Sequence, residues 1–175
     1  VQDLSSAMAV LAAKPEKGQY CIDVCGAPGG KAMHLADILE GTGFVEVRDI
    51  SEYKVGLIEE NIRRLGCHNI KAAVMDACVR DEGSVEKADL VLADLPCSGL
   101  GVIGRKPDIK LRMTRESMEA LAQLQRRILS VVWQYVKPGG TLVYSTCTIN
   151  RKENEENAAW FAENFPFEPV NIEGR

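Results

Sequence analysis

Two cysteines occupy positions from which a thiol could do chemistry. Cys97 lies in the segment Asp94 to Gly99 (DLPCSG), and Cys147 lies in Ser145 to Thr148 (STCT). Each segment lies at the end of a predicted buried parallel strand. Because ligands of α/β sheets bind at the carboxyl ends of the strands, two thiols far apart in the sequence could face one pocket. One thiol indicates a nucleophile, and two indicate a nucleophile with a helper.

Length and composition fit one globular domain. The chain has 175 residues, of which 46% are hydrophobic and 26% are charged, and a formal net charge of −4. No apolar run approaches the roughly 20 residues needed to span a bilayer, and the first residues lack the pattern of a signal peptide. We therefore expect a cytoplasmic monomer that contacts no membrane. The six cysteines show no zinc-binding spacing, so free thiols and no metal are expected.

Strand-like and helix-like segments alternate along the chain, which predicts an α/β fold with a mostly parallel sheet. A polar, basic loop is expected from Pro96 to Met113, and a turn at Pro138 to Gly140. The predicted helices cover residues 5–13, 30–40, 51–65, 114–136 and 152–164, and the predicted strands cover 20–25, 44–48, 71–75, 89–94, 141–146 and 167–172.

A glycine-rich turn from Asp23 to Lys31 (DVCGAPGGK) joins the first strand to the next helix. A nucleoside-triphosphate loop would need glycine at position 25 and Ser or Thr at 32, and the glycine spacing also departs from the dinucleotide fingerprint. What remains is Asp49 at the end of the second strand, where such folds hold a ribose. This combination favours an adenosine-bearing ligand without a pyrophosphate, such as S-adenosylmethionine. A purely structural turn is the alternative.

Several motifs in order carry a resemblance to a known family. They are residues 1–6, Cys25 to Lys31, Asp49 with Lys54, Asn61 to Gly66, Asp76-Ala77, Asp94 to Gly99, Arg105 to Asp108, and Ser145 to Thr148 followed by Asn154 and Glu155. Together they resemble the catalytic domain of the RNA cytosine-5 methyltransferases of the Sun or NOL/NOP type, close to the bacterial enzymes of 16S small-subunit rRNA. The resemblance implies a Rossmann-like, class I S-adenosylmethionine-dependent methyltransferase with a doubly wound sheet. Gly26, Ala32 and Arg48 depart from the family pattern.

The resemblance also implies roles for individual residues. Cys147 would attack carbon 6 of cytosine, Cys97 would serve product release, and Asp94 would hold the edge of the base. A positive charge near Cys147 would favour its thiolate, and Lys31 is a candidate. The implied cofactor-binding residues are Cys25, Gly26, Ala27, Pro28, Gly29, Gly30, Lys31, Asp49, Lys54, Asp76 and Asp94.

Contacts to RNA are expected from a basic cluster, comprising Arg105, Lys106, Lys110, Arg112 and Arg115. Phosphates attract such clusters, although a solvated loop would have the same composition. The overall negative charge argues mildly against a nucleic-acid partner, so this domain is not expected to supply all of the RNA contacts. The family resemblance implies an N-terminal RNA-binding domain outside residues 1–175. The last strand of the fold is also expected outside them, which predicts an exposed sheet edge near Thr141 to Ser145.

Two other functions remain open at this point. One is a non-catalytic module that binds RNA or the cofactor, although such a module would need no thiols. The other is a methyltransferase that acts on a nitrogen atom or a small molecule.

Overall fold

The computed structural model describes residues 4–170, without the side chain of Ser5. Helices and strands alternate along most of this range. The helices are α1 (Leu4–Ala12), α2 (Gly30–Ile38), α3 (Glu52–Leu65), α4 (Ile109–Arg112), α5 (Arg115–Val132) and α6 (Glu155–Asn164); the strands are β1 (Tyr20–Asp23), β2 (Phe44–Asp49), β3 (Ile70–Val74), β4 (Ala88–Asp94) and β5 (Val136–Ser145). None of the described helices is long and apolar enough to cross a membrane.

The five strands form one sheet in the order β3-β2-β1-β4-β5. The pairs β1–β2, β1–β4 and β2–β3 are parallel. Strand order therefore runs outward from β1 in both directions, as in a doubly wound fold. The predicted fold class is confirmed, and β5 occupies one edge of the sheet within the described range, as expected.

The described chain divides into two compact units. The first contains residues 4–94 together with Val131–Val143, and the second contains Leu95–Ser130 together with residues 144–170. Aliphatic side chains from α2, β2, α3 and β4 form the core of the first unit, and these are Leu35, Leu39, Val45, Val47, Ile58, Leu90 and Leu92. Burial of each contributes roughly 1.5–3 kcal/mol, which fixes the strands whose ends carry the candidate site.

Local signals place the ends of α3 where the sequence predicts them. Ser51 caps the first turn by accepting a hydrogen bond from the Lys54 amide at 3.4 Å, and Gly66 follows the last turn with a left-handed φ of 66°. Side-chain caps satisfy amides that have no partner within the helix, and glycine adopts this φ without a steric penalty. Thr114 and Ser117 cap α5 reciprocally, each side-chain oxygen accepting from the other residue's amide.

Four expectations about secondary structure are wrong in detail. The predicted turn from Pro138 to Gly140 lies within β5, because an edge strand tolerates a proline. Helix α5 ends at Val132, and a 3₁₀ turn leads directly into β5. The predicted loop Pro96 to Met113 contains a 3₁₀ turn and α4. Residues 167–170 form no strand, and positions 171 and 172 of that predicted strand lie outside the described range.

Candidate active site

Aspartates stand at the carboxyl ends of the parallel strands in the first unit. Asp23, Asp49 and Asp94 are the last residues of β1, β2 and β4, and Asp76 follows β3 by two positions. The carboxyl ends of parallel strands form the ligand-binding edge of this architecture. Three of the four were predicted site residues, whereas Asp23 was not assigned a role.

The glycine-rich turn packs tightly beneath this edge. The Gly26 amide donates to the Arg48 carbonyl oxygen at 2.8 Å, and the Gly29 amide donates to the Gly26 carbonyl oxygen at 2.6 Å. Gly29 has a φ of 101° at the start of α2, a conformation that favours glycine. A Cβ atom at Gly30 would have no neighbour within 4 Å. The turn is therefore compact on its sheet side and open at Gly30.

A cavity of about 870 Å³ lies within the first unit. Six of the predicted cofactor-binding residues line it, namely Gly26, Ala27, Pro28, Gly30, Lys31 and Asp94. The other lining residues include Asp23, His34, Asp37, Asn61 and Arg64, which sequence reasoning did not single out as site residues. The Asn61 side chain donates to the Pro28 carbonyl oxygen at 3.0 Å, so α3 also positions the turn.

Asp23 is the most perturbed acid of this cavity. Its side chain is fully buried, and burial, followed by the negative charge of Asp94, raises its pKa from 3.8 to about 7. The Lys31 ammonium and the Cys25 backbone N–H act in the opposite direction. Burial of a carboxyl favours its neutral form, so Asp23 changes protonation state near neutral pH.

Lys31 and Asp94 form an ion pair at the same cavity. The Lys31 Nζ lies 2.6 Å from the Asp94 carboxylate, and both side chains are partly accessible, at 17% and 31%. Partial exposure leaves both groups within reach of a ligand. The expected help of Lys31 to the Cys147 thiolate stays a prediction.

Five predicted cofactor residues do not line the cavity, namely Cys25, Gly29, Asp49, Lys54 and Asp76. The Asp49 carboxylate accepts from the Ser51 amide at 3.3 Å and lies 3.5 Å from the Lys54 ammonium. Asp76 accepts from the Cys78 amide at 2.8 Å. Burial, followed by the charge of Asp23, raises the pKa of the Cys25 thiol, with further influence from Asp49. The Cys25 thiol therefore stays protonated at neutral pH.

The two predicted catalytic thiols meet in the second unit. The Sγ atoms of Cys97 and Cys147 are 3.1 Å apart, and the Cys147 amide donates to the Cys97 sulfur at 3.2 Å. The hydrogen bond to Cys147, followed by burial, raises the pKa of Cys97. This hydrogen bond and burial therefore favour the protonated form of the Cys97 thiol. The contact of the two sulfurs is observed, and the separate roles expected for the two cysteines stay predictions. Asp94 belongs to the first unit, and its grouping with the thiols stays a prediction.

Glycines next to Cys97 hold the backbone of Cys147. The Gly101 amide donates to the Cys147 carbonyl oxygen at 3.0 Å, and a Cβ atom at Gly101 would lie only 2.9 Å from that oxygen. A Cβ atom at Gly99 would be 4.0 Å from the Cys147 sulfur. A residue without a Cβ atom is therefore needed at Gly101, where the backbone approaches Cys147, whereas the distance at Gly99 is an ordinary contact.

A buried acid beneath the thiols was missed. Glu153 is fully buried and accepts hydrogen bonds from Ser98, Gln125 and Asn150. Gln125 and Asn157 are buried with it and are joined by a hydrogen bond of 2.9 Å. The position of Gln125 within the apolar stripe of α5 is the sequence signal that could have revealed this group.

The predicted RNA-binding residues are exposed in the second unit. Arg105, Lys106 and Lys110 follow or lie within the short helical turns after Cys97, and Arg112 and Arg115 continue the cluster. Exposed cations of this kind attract phosphates. Within residues 4–170, no group of His, Cys, Asp and Glu side chains is arranged to hold a metal ion.

Comparison with known proteins identifies the family. A profile described as 16S rRNA methyltransferase RsmB/F matches residues 9–166. The chain belongs to the RsmB/F family. The probable ribosomal RNA small subunit methyltransferase B of Bacillus subtilis is 43% identical over 180 aligned residues, which cover 100% of this chain and 40% of that protein. The chain therefore spans about two fifths of the length of this relative.

Solved structures agree with the RsmB/F assignment. The crystal structure of NSun6 from Pyrococcus horikoshii with SFG has a TM-score of 0.82 and 32% identity, covering 98% of this chain and 46% of that one. A methyltransferase homologue from Pyrococcus horikoshii has a TM-score of 0.81 and 33% identity. The match covers 94% of this chain and 51% of that chain. These likenesses confirm the predicted recognition of the family and its Rossmann-like fold.

Two departures from the RsmB/F pattern have structural explanations. A Cβ atom at Gly26 would press against Val47 and lie 2.7 Å from the Asp23 carboxylate. Arg48 is 3% exposed, lies 5.4 Å from the centre of the Tyr135 ring, and donates to Ser84 at 2.6 Å. Successive side chains alternate across a sheet, so Arg48 and its neighbour Asp49 face opposite sides. Arg48 therefore does not occupy the face of β2 on which Asp49 lies.

Proposed function

We propose that this chain is the catalytic part of a methyltransferase that makes 5-methylcytosine in small-subunit ribosomal RNA. The observation that carries the proposal is the contact of 3.1 Å between the Cys97 and Cys147 sulfurs. Carbon 5 of cytosine is a poor nucleophile, so methylation there needs covalent activation at carbon 6. A thiolate beside a protonated thiol provides a nucleophile and a proton-transfer group.

S-adenosylmethionine is the cofactor that the first unit fits. Its amino-acid and ribose groups present ammonium and hydroxyl donors, and the carboxylates of Asp23, Asp49 and Asp94 are acceptors at the ends of three strands. The turn is open at Gly30, where backbone amides at the start of α2 favour a carboxylate. The similar NSun6 structure contains SFG, an analogue of this cofactor. When bound, S-adenosylmethionine supplies the methyl group.

The residues of this chain then act in a fixed order. The Cys147 thiolate adds to carbon 6, which makes carbon 5 electron-rich. After methylation, solvent water accepts the proton from carbon 5, and the electron pair of that C–H bond expels Cys147 as a thiolate, which the Cys97 thiol stabilises by donating a hydrogen bond. Cys97 keeps a proton beside Cys147 before attack and serves the release of the product. Asp94 holds the base and supports its protonation at nitrogen 3, and Lys31, paired with Asp94 at 2.6 Å, fixes that carboxylate.

The basic cluster supports RNA as the substrate. Arg105, Lys106 and Lys110 are exposed on the segment that follows Cys97. A cytosine in structured RNA must leave its stack to reach such a site, at a cost of a few kcal/mol. Phosphate contacts offset this cost and make binding depend on salt concentration.

Three cysteine variants of the full-length protein test the proposal. With transcribed small-subunit rRNA and labelled S-adenosylmethionine, the wild type should form 5-methylcytosine. Cys147→Ala should form neither product nor a protein–RNA adduct, whereas Cys97→Ala should accumulate the adduct because release fails. Cys21→Ala, which removes a thiol buried in the core, is the matched control and should behave as wild type.

The other outcomes are equally informative. Adduct accumulation in Cys147→Ala instead of Cys97→Ala would reverse the two roles. Binding of RNA without any methyl transfer by the wild type would favour the non-catalytic module. A methyl group on a nitrogen atom, or transfer that survives both cysteine variants, would refute the covalent mechanism.

A further inference from the structure

Glu153 lies at the centre of the hydrogen bonds that join the two cysteine segments. Its side chain is fully buried, and its carboxylate oxygens accept from four donors. These are the Ser98 amide at 2.9 Å, the Ser98 hydroxyl at 2.6 Å, the Gln125 side-chain amide at 3.0 Å and the Asn150 side-chain amide at 2.8 Å. Hydrogen bonds to an ionised acceptor are stronger than those between neutral groups.

One of these donor residues lies in the Cys97 segment and is linked by a hydrogen bond to the Cys147 segment. Ser98 directly follows Cys97, and its hydroxyl oxygen lies 2.7 Å from that of Thr148, which directly follows Cys147. Thr148 in turn accepts from the Asn150 amide at 3.1 Å. A single carboxylate therefore connects the backbone beside one sulfur to the backbone beside the other.

The same carboxylate also anchors the segment before Cys97. The Gln125 side chain that donates to Glu153 donates to the Pro96 carbonyl oxygen at 2.9 Å as well. The Tyr144 hydroxyl donates to the Glu153 carbonyl oxygen and to the Gln125 side-chain oxygen. Loss of the carboxylate would leave several buried donors without an acceptor, which is costly.

We propose that Glu153 is a positioning residue that holds the sulfurs of Cys97 and Cys147 in contact. The role depends on the proposed function, since the contact serves catalysis only if Cys147 attacks and Cys97 assists release. Glu153 touches neither sulfur in this network. It acts through Ser98 and Thr148, each of which fixes the backbone of the neighbouring cysteine.

The exchange of the two thiols with glutathione measures their contact directly. One oxidised glutathione accepts two electrons from the thiols, which join as a disulfide, and two reduced glutathione molecules carry away the protons. The equilibrium constant reports how well the protein holds the two sulfurs together. We expect Glu153→Gln to lower this constant at least tenfold, equivalent to about 1.4 kcal/mol. Glu156→Gln, an exposed change three positions along the chain, should stay within twofold of wild type.

Catalysis by the full-length protein provides the second measurement. Glu153→Gln should lower kcat for RNA methylation at least tenfold with KM changed less than threefold, because the RNA-binding cations are untouched. A purely structural role would lower the thermal midpoint and leave both the glutathione constant and kcat per folded molecule unchanged, and this result would overturn the proposal. Wild-type thiols that oxidised glutathione cannot join would overturn it too.

A milder variant covers the case in which Glu153→Gln does not fold. Ser98→Ala removes one hydroxyl that links Glu153 to Thr148 and retains the Ser98 amide bond. It should lower the glutathione constant by about threefold, and an unchanged constant would refute the proposal. Because this measurement needs neither RNA nor cofactor, a failure of the positioning role is distinguishable from a failure of the proposed reaction.

Discussion

Replacing Asp23 by asparagine should remove a specific pH dependence of folding stability. Asp23 is fully buried at the end of β1, and its pKa in the folded protein is raised from 3.8 to about 7. In the unfolded chain the carboxyl returns to its ordinary value. Between these two values the folded state therefore binds more protons, so the contribution of Asp23 to stability falls as pH rises.

The size of this effect follows from the shift. Because the pKa of Asp23 is raised from 3.8 to about 7, ionised Asp23 lowers the free energy of unfolding at high pH by roughly 4 kcal/mol. Most of the loss falls between the unfolded and folded pKa values, so that about 2–3 kcal/mol disappears between pH 5 and pH 8. Well below the unfolded pKa of 3.8 the carboxyl is protonated in both states, and its stabilising contribution is complete. Asparagine is neutral throughout and shows none of this dependence.

Urea unfolding of the wild type and Asp23→Asn at pH 5 and pH 8 provides the measurement. The stability of the wild type relative to the variant should fall by about 2–3 kcal/mol between these pH values. Asp37→Asn, an exposed change at the rim of the same cavity, should show a difference below about 0.5 kcal/mol. A pH-independent difference for Asp23→Asn, or a carboxyl that titrates near pH 4 by carbon NMR of the folded protein, would refute the reasoning.

Two further substitutions test packing around the candidate site. Arg48→Met should reduce the free energy of unfolding by about 3 kcal/mol, because the partly buried carboxylates of Glu46 and Asp81 lose their cation. An equal loss of stability in Arg63→Met, which changes an exposed arginine, would contradict this explanation. Gly26→Ala should cost about 1–3 kcal/mol because its Cβ presses on Val47. In the double variant with Val47→Ala, the losses of stability from the two substitutions should not add, because the smaller side chain makes room for the new Cβ atom. Additive shifts of the urea midpoints would exclude the contact with Val47 as the cause.

The main elements of the sheet were predictable because local signals agree with the tertiary fold. The helix α3 has its cap at Ser51 and its stop at Gly66, so its limits can be read from the sequence. Pro138 was misread as a turn because its meaning depends on the place of β5 at the sheet edge. The edge position itself is expected from the fold, but the local Pro-Gly-Gly pattern does not show that the strand already begins at Val136.

The thiol pair could be predicted from the motifs around Cys97 and Cys147. The buried hydrogen bonds of Glu153 that hold these segments could not be predicted. Cys97 and Cys147 stand in recognisable segments that end two strands. Glu153 lies in an acidic stretch that reads as a solvated helix start, yet it is fully buried. Gln125 gave the available clue, since an amide within an apolar helix stripe must find a buried partner.

Asp23 and Glu153 show why burial alone does not define the role of an acid. Both side chains are completely buried. Glu153 accepts four hydrogen bonds from donors near both thiols, so its position is fixed by its partners. At Asp23, burial and the charge of Asp94 outweigh the backbone N–H of Cys25 and the cation of Lys31, so its protonation changes near neutral pH. The number and placement of donors make Glu153 a structural link between segments, whereas Asp23 is a cavity-lining acid whose protonation state changes with pH. Those donors come from residues scattered along the chain, which is why the distinction appears only in the folded structure.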